Sequence, residues 1–290
     1  MERLERIEDL RNFLRALRRE GRTIGLVPTM GFLHEGHMAL VDKAKSENDI
    51  VVVSVFVNPL QFGPLEDLDK YPRDLEHDMA LLEEHGCDVM FTPTVAEMYP
   101  RPLETYVELP ELSRPLCGRT RPTHFRGVAT VVTKLFHIVQ PDKAYFGQKD
   151  GQQVVIIRRM VADLNFPVDI VTVSTVREPD GLAKSSRNVY LTPDQRAHAT
   201  VLYRALCAAR DRMEQGERSG SALSRLMADI VSAEPGVRLD YAEAVSLDTL
   251  QPMEHLAGPV MLAIAAYVGE ARLIDNLQLQ VGDAQVTDLV

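Results

Sequence analysis

Two histidines stand three residues apart in PTMGFLHEGH, residues 28–37, directly after a short apolar run. Gly31 and Gly36 in this segment allow the backbone to approach a bulky ligand closely. If a helix begins near His34 and His37, both rings share a face with the unpaired backbone N–H groups of the helix N-terminus. Such a group of donors suits an anion.

Other interpretations of this segment are weaker. It is not a Walker A loop, because His37 stands where that motif has lysine. HEGH is not HExxH, and the spacing provides no third metal ligand. Two ordinary surface histidines are an alternative, which the position directly after a βα turn disfavours.

A second polar segment, FGQKDGQQ at residues 146–153, also follows a short strand. The ammonium of Lys149 can hold a phosphate, and Gln153 can hydrogen-bond a hydroxyl or a carboxylate. The alternative is a polar helix N-terminus capped by Asp150, and the two roles are compatible.

A third segment, GLAKSSRN at residues 181–188, places two cations around two hydroxyls. Lys184 and Arg187, with Ser185 and Ser186 between them, suit a polyphosphate that gains charge as its ester bond breaks. A flexible basic loop between domains is the alternative interpretation.

A fourth segment, FVNPLQF at residues 56–62, ends an apolar strand with uncharged polar groups. Asn58 and Gln61 would place uncharged hydrogen-bonding groups at the apolar entrance of a pocket, which suits a small polar acid with alkyl substituents. The alternative is a structural turn at Pro59.

Strand and helix patterns alternate over the first 175 residues, which predicts an α/β fold: a Rossmann-like, doubly wound parallel sheet with ligands at the carboxyl ends of its strands. Predicted strands cover 23–31, 50–57, 87–93, 144–146 and 168–176. Predicted helices cover 2–20, 37–46, 74–85, 125–139 and 152–164.

The pattern changes after residue 180 to a smaller α+β domain. Helices are predicted over 193–215 and 221–232, and strands over 239–246, 260–268 and 271–279, the last two joined by a tight turn at Gly269 and Glu270. The predicted domains are therefore 1–180 and 181–290.

Composition excludes several classes of function. The formal net charge of −10 argues against broad nucleic-acid or membrane-surface binding. We find no secretory signal and no apolar run of 18 residues, so we expect no membrane span. Three widely spaced cysteines fit free thiols in a reducing cytosol better than a disulfide framework or a zinc site.

The four segments, in this order at strand ends, resemble the pantothenate synthetase (pantoate–β-alanine ligase) family. PTMGFLHEGH is similar to that family's form of the HIGH signature, and KSSRN to its KMSKS counterpart. The resemblance implies that ATP, (R)-pantoate and β-alanine give pantothenate, AMP and diphosphate through a pantoyl adenylate. It also implies Mg²⁺, a cytoplasmic homodimer, and a second domain that closes over the ATP site.

The resemblance further implies site residues. His37 would be the catalytic proton donor, acting with His34, Lys149 and Arg187. Pantoate would bind Gln61 and Gln153, with Asn58 beside them, and His124 and Arg126 would position the site. The expected ATP-binding residues are Met30, Gly31, Phe32, Leu33, His34, Glu35, Gly36, His37, Gly147, Gln148, Lys149, Asp150, Val176, Lys184, Ser185, Ser186 and Arg187. Many family members have Met where this chain has Lys184, which adds a cation near the phosphates.

Two other classes of function share some of these features. A nucleotidylyltransferase acting on a phosphate-bearing substrate would use the same paired histidines, but its substrate would favour an extra basic cluster over Gln61 and Gln153. A nucleotide-sensing module would bind ATP without releasing diphosphate.

Overall fold

The computed structural model describes residues 1–64, 66–282 and 285–290. The chain divides into two compact units. The first comprises Met1–Ser113, Arg121–Gly147 and Ile156–Val173; the second comprises Arg114–Thr120, Gln148–Val155 and Ser174–Val290. The domain limits 1–180 and 181–290 stay a prediction.

The first unit contains a six-stranded parallel sheet with the order β1-β4-β3-β2-β5-β6, as the described residues define it. Its strands are β1 (Glu2–Leu4), β2 (Ile24–Thr29), β3 (Ile50–Val55), β4 (Val89–Phe91), β5 (Lys143–Gly147) and β6 (Asp169–Val173). The chain runs outwards from β2 through β3 to β4, then returns to β5 on the other side of β2. This reversal confirms the doubly wound α/β fold and lies between β2 and β5.

The helices up to residue 163 are α1 (Ile7–Arg19), α2 (Glu35–Glu47), α3 (Leu75–Glu84), α4 (Val95–Met98), α5 (Pro110–Ser113), α6 (Cys117–Thr120), α7 (His124–Val139) and α8 (Gly151–Asp163). Two 3₁₀ turns cover Pro59–Gln61 and Gln148–Asp150. The helix α3 begins at the Asp74 cap, whose carboxylate accepts a hydrogen bond from the His77 backbone N–H.

Apolar runs explain why the central strands form. In β3, Val51, Val52 and Val53 are all fully buried, as expected of a parallel strand covered on both faces. On one side of the sheet, the core combines β3 and β4 residues with Met38, Val41 and other apolar residues of α2.

The second unit is built on an antiparallel sheet with the order β10-β9-β8-β7. Its strands are β7 (Val237–Ser246), β8 (Gly258–Val268), β9 (Ala271–Val281) and β10 (Val286–Asp288), and its C-terminal helices are α9 (Pro193–Ala199), α10 (Val201–Glu214) and α11 (Gly220–Ser232). A 3₁₀ turn covers Ser186–Tyr190. The helices α10 and α11 pack on this sheet, which confirms the smaller α+β part and the hairpin at Gly269 and Glu270.

Two predicted helices were wrong in their limits. Residues 2–20 are not one helix, because β1 pairs with β4 before α1 begins; the Glu2 N–H donates to the Asp88 carbonyl, and the Leu4 carbonyl accepts from Thr92 N–H. Residues 193–215 are two helices, because the hydroxyl and N–H of Thr200 both bond back to the Ala197 carbonyl and end α9.

The three cysteines are free, as expected, with Cys87 and Cys117 buried and Cys207 half-buried. Among the described residues, no helix combines the length and hydropathy that crossing a membrane requires.

Candidate active site

His34 and His37 form a reciprocal cap at the N-terminus of α2, directly beyond the carboxyl end of β2. The His37 Nδ1 accepts a hydrogen bond from the His34 backbone N–H at 3.3 Å, and the His34 Nδ1 accepts from the Gly36 N–H at 3.1 Å. The ring centroids are 4.1 Å apart. An accepting Nδ1 places the proton of each neutral ring on Nε2, so each histidine carries an Nε2–H donor beside the helix N-terminus.

A buried carboxylate holds the turn that leads to these histidines. Asp78 of α3 accepts hydrogen bonds from the backbone N–H groups of Phe32 at 2.9 Å and Leu33 at 2.6 Å. Burial raises the pKa of Asp78, and the two amide bonds oppose that rise. The turn has positive φ at Gly31 and Phe32, and a Cβ at Gly31 would lie 2.8 Å from a methyl carbon of Val55. The glycine is therefore required by both conformation and space.

Met30, Asn58 and Gln61 come together at the ends of β2 and β3. The Gln61 amide nitrogen lies 3.0 Å from the Met30 sulfur, and its Oε1 accepts from the Asn58 amide at 3.1 Å. Asn58 also donates to the Gly127 carbonyl and accepts from the Tyr99 hydroxyl at 2.8 Å. Asn58 thus orients Gln61, and its direct contact with substrate stays a prediction.

The N-terminus of α7 lies against the Gln61 backbone. The Gln61 carbonyl accepts from His124 Nδ1 at 2.9 Å, and His124 Nε2 is 3.2 Å from an Arg121 nitrogen. This pattern defines a neutral His124 ring that is protonated on Nδ1, with Arg121 in turn paired to Glu66. A Cβ at Gly127 would lie 2.2 Å from the Leu60 carbonyl oxygen, so only glycine permits this contact.

Among the residues that the structure describes, Arg126 contacts an aromatic ring and not this hydrogen-bond network. Its guanidinium lies 4.9 Å from the centroid of the Tyr106 ring, a cation–π contact. A positioning role for Arg126 stays a prediction.

In the second unit, Lys149 lies in the 3₁₀ turn that precedes α8. Its ammonium is 3.9 Å from the Asp150 carboxylate, and its side chain is 21% exposed. Gln148 accepts a hydrogen bond from the Thr175 N–H through its side-chain oxygen. The Gln148–Thr175 bond holds the backbone of this turn, and the Lys149 ammonium extends from that backbone.

The two amides at the start of α8 differ in role. Gln152 is buried; its oxygen accepts from the Cys117 N–H at 3.0 Å, and its nitrogen donates to the Pro115 carbonyl at 2.8 Å. Gln153, the predicted substrate ligand, is half-buried on the same helix.

The segment 176–184 is a short antiparallel loop that brings two predicted ATP-binding residues together. The Lys184 N–H donates to the Val176 carbonyl at 2.9 Å, and Arg177 pairs with Ala183. The Lys184 ammonium lies 2.8 Å from a Glu178 carboxylate oxygen. The extra cation expected at position 184 is thus offset by a neighbouring anion.

The KSSRN segment continues into the 3₁₀ turn at Ser186–Tyr190. Ser185 caps this turn by accepting from the Arg187 N–H at 3.3 Å, Ser186 is buried, and Arg187 is half-buried. In the same unit, Arg177 binds the buried Asp275 through two bonds of 2.6 and 2.9 Å and stacks on the Tyr203 ring. Burial raises the pKa of Asp275, and its pairing with Arg177 opposes this.

Sequence reasoning missed the supporting role of several polar residues. In the first unit these are Glu66, Asp78, Tyr99 and Arg121. In the second unit they are Arg177, Asp275 and Asn276. Within residues 1–64, 66–282 and 285–290, His, Cys, Asp and Glu side chains do not gather in a group of three or more that could hold a metal ion.

The parallel sheet of the first unit and the His34–His37 cap at the end of β2 define a class of protein. It is a Rossmann-like α/β protein with a paired-histidine helix N-terminus at the carboxyl edge of its sheet. The sequence model described as Pantoate-beta-alanine ligase matches residues 2–278. The chain therefore belongs to the pantoate–β-alanine ligase family.

Individual relatives are similar to this chain over nearly its whole length. Pantothenate synthetase of Moorella thermoacetica is 55% identical over 98% of this chain and all of that protein. The crystal structure of pantothenate synthetase from Thermus thermophilus has a TM-score of 0.90 at 52% identity, covering 96% of this chain and 99% of that one. Pantoate–β-alanine ligase from Francisella tularensis, solved with β-γ ATP and β-alanine, has a TM-score of 0.78 at 35% identity, covering 95% and 97%.

Proposed function

We propose that this chain condenses (R)-pantoate with β-alanine to pantothenate, consuming ATP and releasing AMP and diphosphate. The observation that carries the proposal is the His34–His37 cap at the end of β2, in a chain that matches pantoate–β-alanine ligases across residues 2–278. The Francisella tularensis relative, solved with β-γ ATP and β-alanine, supports the choice of ligands.

The chemistry proceeds in two steps through a pantoyl adenylate. A pantoate carboxylate oxygen attacks the α-phosphorus of ATP, and the bond to diphosphate breaks. The β-alanine amine then attacks the acyl carbon of the mixed anhydride, loses a proton, and AMP leaves. Neither step needs a covalent nucleophile from the protein, so catalysis rests on alignment and charge neutralisation.

The paired histidines supply hydrogen-bond donors for the first step. With both Nδ1 atoms accepting from the backbone, the Nε2–H groups are the donors that the rings can direct at a phosphate oxygen. In this proposal, His37 donates to a phosphate oxygen as negative charge moves onto the leaving diphosphate, and His34 assists. The backbone N–H groups of the helix N-terminus add positive electrostatic potential beside the two histidines.

Lys149, Lys184 and Arg187 neutralise the triphosphate in this proposal. The Glu178 carboxylate that pairs with Lys184 at 2.8 Å reduces that residue's net contribution, whereas the Asp150 carboxylate lies farther from Lys149, at 3.9 Å. The remaining proposed ATP contacts are Met30, Gly31, Phe32, Leu33, Glu35, Gly36, Gly147, Gln148, Asp150, Val176, Ser185 and Ser186.

Pantoate binds the carboxamides of Gln61 and Gln153 in this proposal. The Gln61 amide is held by Asn58 and Met30, so its direction is fixed before substrate arrives. An uncharged amide suits a hydroxy acid better than a phosphate ester, which disfavours a nucleotidylyltransferase.

Sheet topology supports a shared role for the β2 and β5 loops. The two strands are neighbours in the parallel sheet, and their carboxyl ends lie at the same edge. The histidine loop leaves β2 at this edge, and Lys149 follows the end of β5 by two residues.

We further propose that Mg²⁺ enters with ATP as part of the substrate and that the second domain closes on ATP. In this proposal the active form is a homodimer, and the enzyme works in the cytoplasm. The buried free thiols Cys87 and Cys117 support a reducing compartment. Sedimentation of the pure protein tests the dimer.

The test of function is product analysis with ATP, (R)-pantoate and β-alanine. Pantothenate and AMP in equal amounts support the proposal. A stable nucleotidyl product would support a nucleotidylyltransferase, and ATP binding without diphosphate release would support a sensor.

A further inference from the structure

Asn276 of β9 is buried, with 4% exposure, and its side chain reaches the two backbone carbonyls on either side of the Lys149 Cα. Its amide nitrogen donates to the Gln148 carbonyl and to the Lys149 carbonyl, each at 2.9 Å. We propose that Asn276 is a positioning residue that fixes the Lys149 backbone for adenylate formation. This inference rests on the proposed function of Lys149.

The orientation of the Asn276 amide is set by its neighbours. Its oxygen faces the Gln278 amide nitrogen at 3.5 Å, so the nitrogen faces the two carbonyls. Its own backbone N–H donates to the Asp275 carboxylate at 2.8 Å, and the Arg177 guanidinium donates to both oxygens of that carboxylate. The donor that fixes Lys149 is therefore itself fixed.

Close packing reinforces the hydrogen bonds. A Cβ at Gly151 would lie 2.7 Å from the Met261 sulfur and 3.2 Å from the Asn276 amide nitrogen. Glycine at this position lets the turn approach β8 and β9 closely enough for both carbonyls to reach one amide. Gln148 is also tied by its side chain to the Thr175 N–H.

A lysine side chain has several rotatable bonds, so a fixed backbone is needed to limit the region that its ammonium can occupy. Displacement of a catalytic group by about 1 Å can cost about a hundredfold in rate. Loss of the two bonds from Asn276 should therefore lower the rate of adenylate formation while the rest of the second unit stays folded.

The experiment is a double-mutant cycle with Asn276→Ala and Lys149→Ala, measured as pantoate-dependent exchange of labelled diphosphate into ATP. We expect Asn276→Ala to lower kcat about tenfold or more in the wild-type background. In the Lys149→Ala background the same change should cost less than about twofold, because the group it positions is gone. Asn276→Leu keeps the branching and the number of side-chain heavy atoms without the two hydrogen bonds, and should give the same result if the alanine variant folds poorly.

Asn48 provides a matched control in the first unit. Its amide nitrogen also donates two bonds, to the Ala44 carbonyl at 2.8 Å and to the Tyr145 hydroxyl at 2.7 Å. Asn48→Ala should lower Tm and leave the exchange rate within about twofold of wild type, since its partners lie outside the proposed site.

Hydrogen exchange of the backbone amides of residues 148–152, measured without substrate, tests the two hydrogen bonds from Asn276 independently of activity. We call these two bonds the tether. Asn276→Ala should speed amide exchange there relative to wild type. Equal losses of kcat in both backgrounds, or unchanged amide exchange, would overturn the positioning role. If the wild-type enzyme shows no pantoate-dependent exchange of diphosphate into ATP, the proposed function is refuted. The amide hydrogen exchange would still show whether the tether exists.

Discussion

The carboxylate of Asp78 lies 2.6 Å from the backbone nitrogen of Leu33, a residue 45 positions earlier in the chain. Its second oxygen accepts from Phe32, so one buried side chain fixes the turn that ends at His34. The histidines are therefore positioned both by their own cap and by the neighbouring helix α3.

Replacing Asp78 with Ala should damage both stability and activity. The buried Leu33 N–H and the half-buried Phe32 N–H would lose this acceptor, at a cost of about 2 kcal/mol in the free energy of unfolding. We expect kcat for diphosphate exchange to fall about tenfold or more as the histidine turn loosens. Urea unfolding and the exchange assay measure the two effects.

Asp74→Ala is the control for that change, because Asp74 caps the same helix from an exposed position. It should cost about 1 kcal/mol of stability and leave the exchange rate unchanged. Normal exchange in Asp78→Ala would show that the turn does not need its anchor.

Replacing His37 with Ala should slow adenylate formation by about a hundredfold or more, because it removes the donor that we propose for the phosphates. His77→Ala removes an exposed imidazole on α3 and should have no effect on rate. Diphosphate exchange measures both variants, and near-normal exchange in His37→Ala would refute the assigned role.

Replacing Lys149 with Ala should also slow adenylate formation by about a hundredfold or more. Lys45→Ala is the matched control, since Lys45 pairs with Asp88 on the opposite end of the first unit's sheet from the β2 carboxyl edge. Far-ultraviolet circular dichroism should be the same for wild type and both variants. If Lys149→Ala retains most of its exchange activity, the ammonium is not a phosphate ligand.

Gly127→Ala tests the contact between α7 and the Gln61 turn. The added methyl would overlap the Leu60 carbonyl and the Gln61 nitrogen, so the turn must move. We expect the KM for pantoate to rise about tenfold or more. Ala129→Gly, which weakens the same helix by about 1 kcal/mol without touching this turn, should leave that KM unchanged.

Glu47 provides a test of pH dependence. Hydrogen bonds from Lys43, Lys143 and Tyr145 lower the pKa of Glu47 from about 4.5 to about 2. Because the folded value is the lower one, its contribution to stability is complete above about pH 4.5 and is lost as the pH falls towards 2.

The free energy of unfolding of Glu47→Gln should therefore be lower than that of wild type at pH 7, and the difference should shrink between about pH 4.5 and about pH 2. Urea titrations at several pH values measure this difference. A difference that does not change with pH would contradict the lowered pKa.

Much of the fold could be predicted because its signals are local. The apolar run of β3, broken only by Ser54, and the turn at Gly269 and Glu270 each identify their element without knowledge of distant contacts. The β1 strand gave no such signal, since its helical spacing of apolar residues continues into α1 and only pairing with β4 defines it.

The polar support of the site could not be predicted from local sequence. Asn58 depends on Tyr99, 41 residues away, and on Gly127, 69 residues away. Asn276 contacts Lys149 across 127 residues. Such pairs exist only after the strands have assembled, so the sequence indicated the groups proposed to bind ligand but not the residues that hold those groups in place.

A crystal structure of this protein with ATP and pantoate would test the shared nucleotide site. We expect the His37 Nε2 and the Lys149 ammonium each to lie within about 3 Å of phosphate oxygens of one nucleotide. We also expect the pantoate carboxylate to lie in line with the α-phosphorus. A nucleotide bound out of reach of either residue would refute the proposed site.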